Sequence, residues 1–377
     1  MDYLNFETEK LCIPDPTFNN ALIFLAIIFI ALVTMIRKKN IFLDRIQTDQ
    51  LKGIAILFVV TGHLWTHVSL HGAVPNFAGY AVALFLLLSG YGLTRSWQKK
   101  PLTAKEFAFR RISRVMVPYW IATICILLLD YWLLDRRYSI IEILSTLCGM
   151  NFAQTLRYLD YARWYITLIL FFYSVFFLAN RMARSLGAIF VLFVFSLLLF
   201  VLRRMDIFPF GALFHFVAFP VGCLIAYLYT PERVAFLNRK LPLAILLLVA
   251  FFGAILCSKL MPALHGDGVM DKLLKLLVGN AQPLLLCVLL IAVFGLLGTF
   301  NVCSRFFMFC GVVSYEVYLL HGPLLIKYNL IFPYFSPDSI VIGYLVFLAL
   351  ILALSYLFKL FHEYVFTFAC TLSHVRK

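Results

Sequence analysis

Charge is what this sequence has least of. Only 13% of its 377 residues are Asp, Glu, Lys or Arg, against 63% apolar, and its mean hydropathy is +0.94. A water-soluble fold of this length cannot cover its surface with so few charges, which excludes a soluble enzyme or binding domain. The signatures of thiolate chemistry are missing too. The nine cysteines form no CxxC pair, and Cys125, Cys223, Cys257, Cys287 and Cys310 fall within apolar runs, where a thiol behaves as a small hydrophobe. No internal repeat and no low-complexity linker divides the chain. The opening "MDYLNFETEKLCIPDP" lacks the basic stretch of a secretory signal. The cluster Arg37-Lys38-Lys39 instead follows the first apolar run, the arrangement of a retained helix with its N-terminus outside.

What is present is a series of long hydrophobic runs. Runs of about 17–25 residues match the hydrocarbon thickness of a bilayer. They fall near 18–36, 53–71, 77–94, 115–134, 163–180, 186–202, 210–229, 241–258, 281–298, 306–326 and 339–361. The apolar segment 138–150 is short and reads as interfacial or re-entrant. The predicted fold is therefore all-α: a polytopic transmembrane bundle of about eleven helices, a ten-helix core plus one N-terminal helix. The predicted organisation is an N-terminal extension over 1–40 and a membrane domain over 41–377. The net charge of +14 resides mostly in short segments between the runs, above all 37–52 and 95–114. That distribution reads as membrane topology, N-terminus outside and C-terminus cytoplasmic, and not as a nucleic-acid footprint.

On this topology the stretch "LKGIAILFVVTGHLWTHVSLHG" (51–72) runs from the cytoplasmic face outward. His63 lies about 15 Å in from Gly53, near the midplane. An ionisable residue there is a functional hypothesis by default. His67 and His71 are expected to continue its face toward the outside as a polar route. No acidic residue accompanies them within 53–71, so the pair at four-residue spacing is not read as a metal site. Lys52 stands at the cytoplasmic mouth, eleven positions before His63, with Asp49 one turn earlier to orient it. Next come "ALFLLLSGYGLT" (83–94), with Ser89 among small residues that permit close approach, and "KEFAFRRISRVMVPYW" (105–120). In the latter, Arg110, Arg111 and Arg114 gather before a helix, and their guanidinium groups suit phosphate oxygens. "RWYITLILFFY" (163–173), ending at Tyr173, and "SYEVYLLHGPLL" (314–325), containing His321, follow. Asp130 reads as a snorkelling residue near the outer end of its helix. Glu316 and His321 are five apart and do not share a face.

This ordered set, between about residues 45 and 325, resembles the acyltransferase-3 family of integral membrane acyltransferases. Members pair a basic residue with a histidine in an early helix. An "LSG" segment, a basic run ending in Pro-aromatic, a Trp-aromatic helix and a late "YLLH" segment follow. The resemblance implies transfer of an acyl group, commonly acetyl from cytosolic acetyl-CoA, to a hydroxyl of a sugar or cell-envelope acceptor. It implies His63 as the catalytic residue, Lys52 in place of the usual Arg, and Arg110, Arg111 and Arg114 as the donor's phosphate-binding run. Asp49, Ser89, Tyr173 and His321 are expected to be supporting or substrate-contacting residues. The implied partners are acyl-CoA, a glycan or lipid-linked sugar acceptor and membrane lipids, with no metal, in a bacterial inner membrane. The chain departs from the pattern in Lys52, in an extra N-terminal helix and in lacking a glutamate within "WYITLILFFY". His63 suits either proton abstraction from the acceptor hydroxyl or carriage of the acyl group itself. The alternative class is a transporter or flippase for a polar glycan or small solute, which would also want polar residues at the midplane.

Overall fold

The computed structural model describes residues 10–151, 159–204, 215–264, 268–329 and 331–375. Its helices follow the apolar runs, because in hydrocarbon only a helix satisfies every backbone group within one segment. Helix α1 (Pro16–Val33) leads into a short strand β1 (Met35–Arg37). Helix α2 (Arg45–His63) is opened by the Asp44 side chain, which accepts from the Gln47 amide at 2.9 Å, and runs on through a π-turn at Leu64–Val68. Helices α3 (Ala78–Lys99) and α4 (Ala104–Leu134) follow, the latter bulging into a π-turn at Ile112–Met116. The short α5 (Ile140–Leu147) precedes α6 (Trp164–Met182), α7 (Ser185–Arg204), α8 (Ala218–Tyr227) and α9 (Pro231–Leu237). Helices α10 (Lys240–Ala263) and α11 (Val269–Thr299) lead to strand β2 (Val302–Ser304). Helices α12 (Arg305–Val312), α13 (Ser314–Gly322, extended by a π-turn at Pro323–Lys327) and α14 (Ile340–Val375) complete the chain.

Among the described residues, nine helices are long and apolar enough to cross a membrane: α1, α2, α3, α4, α6, α7, α10, α11 and α14. The protein is an integral membrane helical bundle. Two of the expected spans differ in form. The run 306–326 is a pair, α12 and α13, bent by 66°. The run 210–229 contains the ten-residue α8, and its first part lies outside the described residues. The short segment 138–150 holds α5, which is eight residues long with Ile140, Ile141 and Leu144 exposed.

Burial separates centre from rim. About two-thirds of the apolar window of α2 is buried (67%) and 56% of that of α3, against 22% for α1 and α10. Two glycine crossings fix the inner helices. A side chain at Gly53 would collide with the Phe307 carbonyl and one at Gly311 with that of Asp49, which locks α2 against α12. Gly90 meets the Phe219 carbonyl and Gly222 that of Leu87, which locks α3 against α8 in the same way. Small residues that let backbones touch are the main adhesive between helices in lipid.

The N-terminal helix belongs to the same packed body. Ile23, Ile27 and Ala31 of α1 join the core, and Trp65 Nε1 donates to Asn20 Oδ1 at 2.9 Å. Strands β1 and β2 pair antiparallel, Met35 opposite Ser304 and Arg37 opposite Val302. At the other end of α2 the Leu11 amide donates to the Val68 carbonyl at 2.8 Å. Leu11 and the end of α2 thus share one end of the bundle, and the β-ribbon marks the opposite end.

Candidate active site

A cavity of about 450 Å³ opens between α2, α3, α4, α6 and α13. Its walls include Lys52, His63, Ser89, Arg110, Arg111, Arg114 and Tyr173, residues from four separate motifs. Lys52 and His63 are eleven residues apart on α2, so the cavity extends about 16 Å along that helix. Lys52 and the three arginines make a cationic end. His63, Trp164, Tyr165 and Tyr318 make an aromatic one.

The cationic end is arranged by local structure. Lys52 Nζ donates to Asp49 Oδ1 at 3.1 Å, and Asp49 also lies 3.6 Å from Arg45 Nε. Asp49 therefore stands behind Lys52 and does not line the cavity. The π-turn of α4 begins directly after Arg111, and the wider turn lets Arg110, Arg111 and Arg114 share one wall. Pro118, which lacks an amide donor and crowds the carbonyl four residues back, accounts for the lost regular bond at Arg114. The Arg111 guanidinium packs over the Tyr173 ring at 5.1 Å. Its buried Nε has no hydrogen-bond partner among the described residues. On α3 the small residues divide by role: Gly90 serves the crossing with α8, whereas Ser89 and Gly92 face the cavity.

At the other end, His63 Nδ1 lies 2.8 Å from Nε2 of His321, which is fully buried. His321 Nδ1 lies 2.8 Å from the Tyr318 carbonyl and 3.1 Å from that of Val317. Carbonyls only accept, so His321 Nδ1 carries a proton. With both rings neutral, His321 Nε2 is then an acceptor, and His63 Nδ1–H donates to it. This chain of donors assigns an unprotonated Nε2 to His63, the nitrogen that no protein hydrogen bond engages among the described residues. Both histidines sit immediately before, or one residue from, a π-turn (Leu64–Val68 and Pro323–Lys327), a feature frequent at functional sites.

The expected histidine stripe is only partly realised. The His63 and His67 rings are 5.7 Å apart, and His67 packs on Tyr161 at 4.0 Å. The π-turn adds a residue to the winding and α2 ends at Val68, so exposed His71 does not continue the face. Asp130 also departs from expectation. It is fully buried, 2.7 Å from Lys327 Nζ, and accepts from Tyr138 Oη at 2.6 Å and Tyr328 Oη at 2.8 Å. A carboxylate so partnered has no reason to snorkel. Glu316 and His321 do face apart, Glu316 pairing with His362 Nε2 at 3.0 Å.

The site holds residues that sequence reasoning passed over. Tyr315 and Tyr318 line the cavity one turn apart, their rings stacked at 6.1 Å, and their hydroxyls donate to the carbonyls of Val115 and Ala162. The spacing Tyr315, Tyr318, His321 within "SYEVYLLH" carried that signal. Asp160 and Arg163, at 2% and 1% exposure, lie 3.6 Å apart just before α6. Two opposite charges three residues apart at the mouth of an apolar run were the available clue.

Neither the curated proteins nor the solved structures give a match to this chain. A family model described as an acyltransferase domain, that of the acyltransferase-3 family, matches residues 45–360, from the first residue of α2 into α14 and beyond every cavity-lining residue. Helix α1 and the ribbon strand β1 lie outside the match. The chain is a member of the acyltransferase-3 family of membrane acyltransferases.

Proposed function

We propose that the protein transfers an acetyl group from acetyl-CoA to a hydroxyl of a sugar or other cell-envelope acceptor. The observation that carries this reading is one cavity with cations at one end and an unprotonated imidazole nitrogen at the other. A CoA thioester is an elongated donor with phosphates at one end and its reactive carbon at the other. The phosphates match Lys52, Arg110, Arg111 and Arg114, whose guanidinium groups bind phosphate oxygens in pairs. The thioester then lies toward His63. With the N-terminus outside, the cationic end opens to the cytoplasm, where acyl-CoA is made, and the setting is a bacterial inner membrane.

His63 acts as general base. The acceptor hydroxyl gives its proton to His63 Nε2 as its oxygen attacks the thioester carbonyl. The tetrahedral intermediate collapses with cleavage of the carbon–sulfur bond, and CoA leaves as thiolate, which takes the proton back from His63. The products are an ester and CoA. The hydrogen bond to His321 keeps the His63 ring in the accepting orientation throughout. Trp164, Tyr165 and Tyr318 offer apolar ring faces at the reacting end, surfaces suited to a sugar ring.

The test is transfer of radiolabelled acetyl from acetyl-CoA by the purified protein in nanodiscs, with His63→Ala beside it. Label on a saccharide or in released acetate that disappears in the variant supports the reading. Label held on the protein without acceptor would move His63 from base to acyl carrier. A protein that binds no CoA would favour the transporter alternative, which moves solute without a thioester.

A further inference from the structure

From the buried charge beside the histidine pair, we propose that Asp160 is a positioning residue acting through His321. Its carboxylate is the counter-ion that stabilises the positive charge gained by the His63–His321 pair when His63 takes the acceptor's proton. The inference rests on the reading of His63 as a base.

The geometry begins with Gly322, the residue after His321. A Cβ at that position would collide with the Asp160 carboxylate, so only glycine lets the carboxylate lie against α13 there. The carboxylate is 2% exposed and within electrostatic reach of the His321 ring. One of its oxygens, Oδ1, accepts from the Ala162 amide at 3.0 Å. The other, Oδ2, is 3.6 Å from Arg163 Nε, too long for a hydrogen bond. Arg163 is held away by Thr123, to which its Nη1 donates at 2.6 Å, and by the Tyr119 ring at 5.0 Å. Asp160 is thus a buried acid that Arg163 does not engage closely and whose carboxylate lies against the residue that follows His321.

The chemistry supplies what that acid lacks. Neutral His63 and His321 share one hydrogen bond. When the hydroxyl proton reaches His63 Nε2, the pair holds one extra proton, and the His63 Nδ1 proton can pass to His321 Nε2. The charge then lies on the ring nearer Asp160. In a site shielded from water such a fixed carboxylate interacts far more strongly than in bulk solvent. Among the described residues, the other ionisable groups whose rings pack on the pair are His67 on α2, Tyr161 before α6 and Tyr318 on α13. Asp160 is the acid beside them.

The experiment follows ethoxycarbonylation of His63 by diethyl pyrocarbonate against pH, located by mass spectrometry, together with steady-state hydrolysis of acetyl-CoA. Both use the full chain in nanodiscs. Only a neutral imidazole reacts, so the midpoint reports protonation of the pair. Asp160→Asn should move that midpoint to lower pH by about one unit and lower kcat about tenfold, with KM for acetyl-CoA unchanged. Asp160→Glu should restore both. Gly322→Ala, which keeps the charge but displaces it, should shift the midpoint in the same direction and serves if Asp160→Asn fails to fold. A rate loss with an unmoved midpoint would reduce Asp160 to a cap of the turn before α6 and overturn the proposal. A shifted midpoint in the variants beside a wild-type protein that neither binds nor hydrolyses acetyl-CoA would instead overturn the functional reading, and with it the catalytic meaning of the counter-ion.

Discussion

His63 and His321 stand 258 positions apart in sequence and 2.8 Å apart between ring nitrogens. The second ring has its own Nδ1–H committed to helix carbonyls, so it presents the first with an acceptor and nothing else. His321→Ala should therefore reduce kcat by about 10²–10⁴-fold, the usual worth of a positioned general base, with KM for acetyl-CoA unchanged. His321→Gln, whose amide oxygen can still accept from His63, should recover part of the loss. Steady-state kinetics of both variants check this. An equal rise in KM would mean that the histidine builds the donor site instead.

The cationic end should act on binding and not on chemistry. Arg110→Gln, Arg111→Gln and Arg114→Gln, taken singly, should raise KM for acetyl-CoA about tenfold where a charged hydrogen bond to phosphate is lost, and leave kcat near wild type. Comparison with acetyl-dephospho-CoA assigns the contacts. The arginine that meets the 3′-phosphate is the one whose loss no longer matters with that donor. All three effects should weaken as salt is raised, as expected for partly exposed charges.

Two glycines on one turn of α3 should respond in opposite ways. A Cβ at Gly92 meets no atom within 4 Å, and this residue lines the cavity. Gly92→Phe should fill the cavity and abolish acetyl-CoA turnover while Tm in detergent stays close to wild type. Gly90 abuts the Phe219 carbonyl, so Gly90→Ala should instead lower Tm by prying α3 from α8. Thermal unfolding and CoA binding measured on the same preparations separate the two outcomes.

The Asp130–Lys327 pair joins α4 to the turn after α13, with both side chains almost wholly buried. Removing one partner strands the other charge. Lys327→Met and Asp130→Leu should each destabilise the protein by about 3–5 kcal/mol. The double variant should recover part of that loss, because it strands no charge although the Tyr138 and Tyr328 hydroxyls lose Asp130 as acceptor. Unfolding in detergent of the singles and the double forms the cycle, and additive losses would reject the pairing as the source.

The architecture was legible because hydropathy is a local property. A run long enough to span hydrocarbon satisfies its backbone only as a helix, and nine of the eleven runs form one spanning helix each among the described residues. The candidate site was legible to the extent that it is helical spacing. Lys52 and His63 lie on one helix, and Arg110, Arg111 and Arg114 lie within two turns. Asp49 stands where a residue one turn before Lys52 must stand. The errors occurred where regular winding stops. His71 left the stripe because α2 widens after His63 and ends at Val68, and no periodic pattern announces a π-turn.

Asp130 was misread because its partner, Lys327, is remote in sequence, and Asp160 was passed over although its partner lies three residues away. A lone acid near a helix end looks the same whether it reaches water or a buried lysine. What this sequence determined by itself is a polytopic helical membrane protein with a cation and a histidine set about 16 Å apart on one helix, since rise per residue and apolar length are properties of the segment. Only the tertiary structure decided which nitrogen of His63 is free and which acid stands behind His321. Those relations depend on how α2, α6 and α13 approach one another: Gly53 and Gly311 lock α2 against α12, which leads into α13, and Gly322 lets the segment before α6 lie against α13.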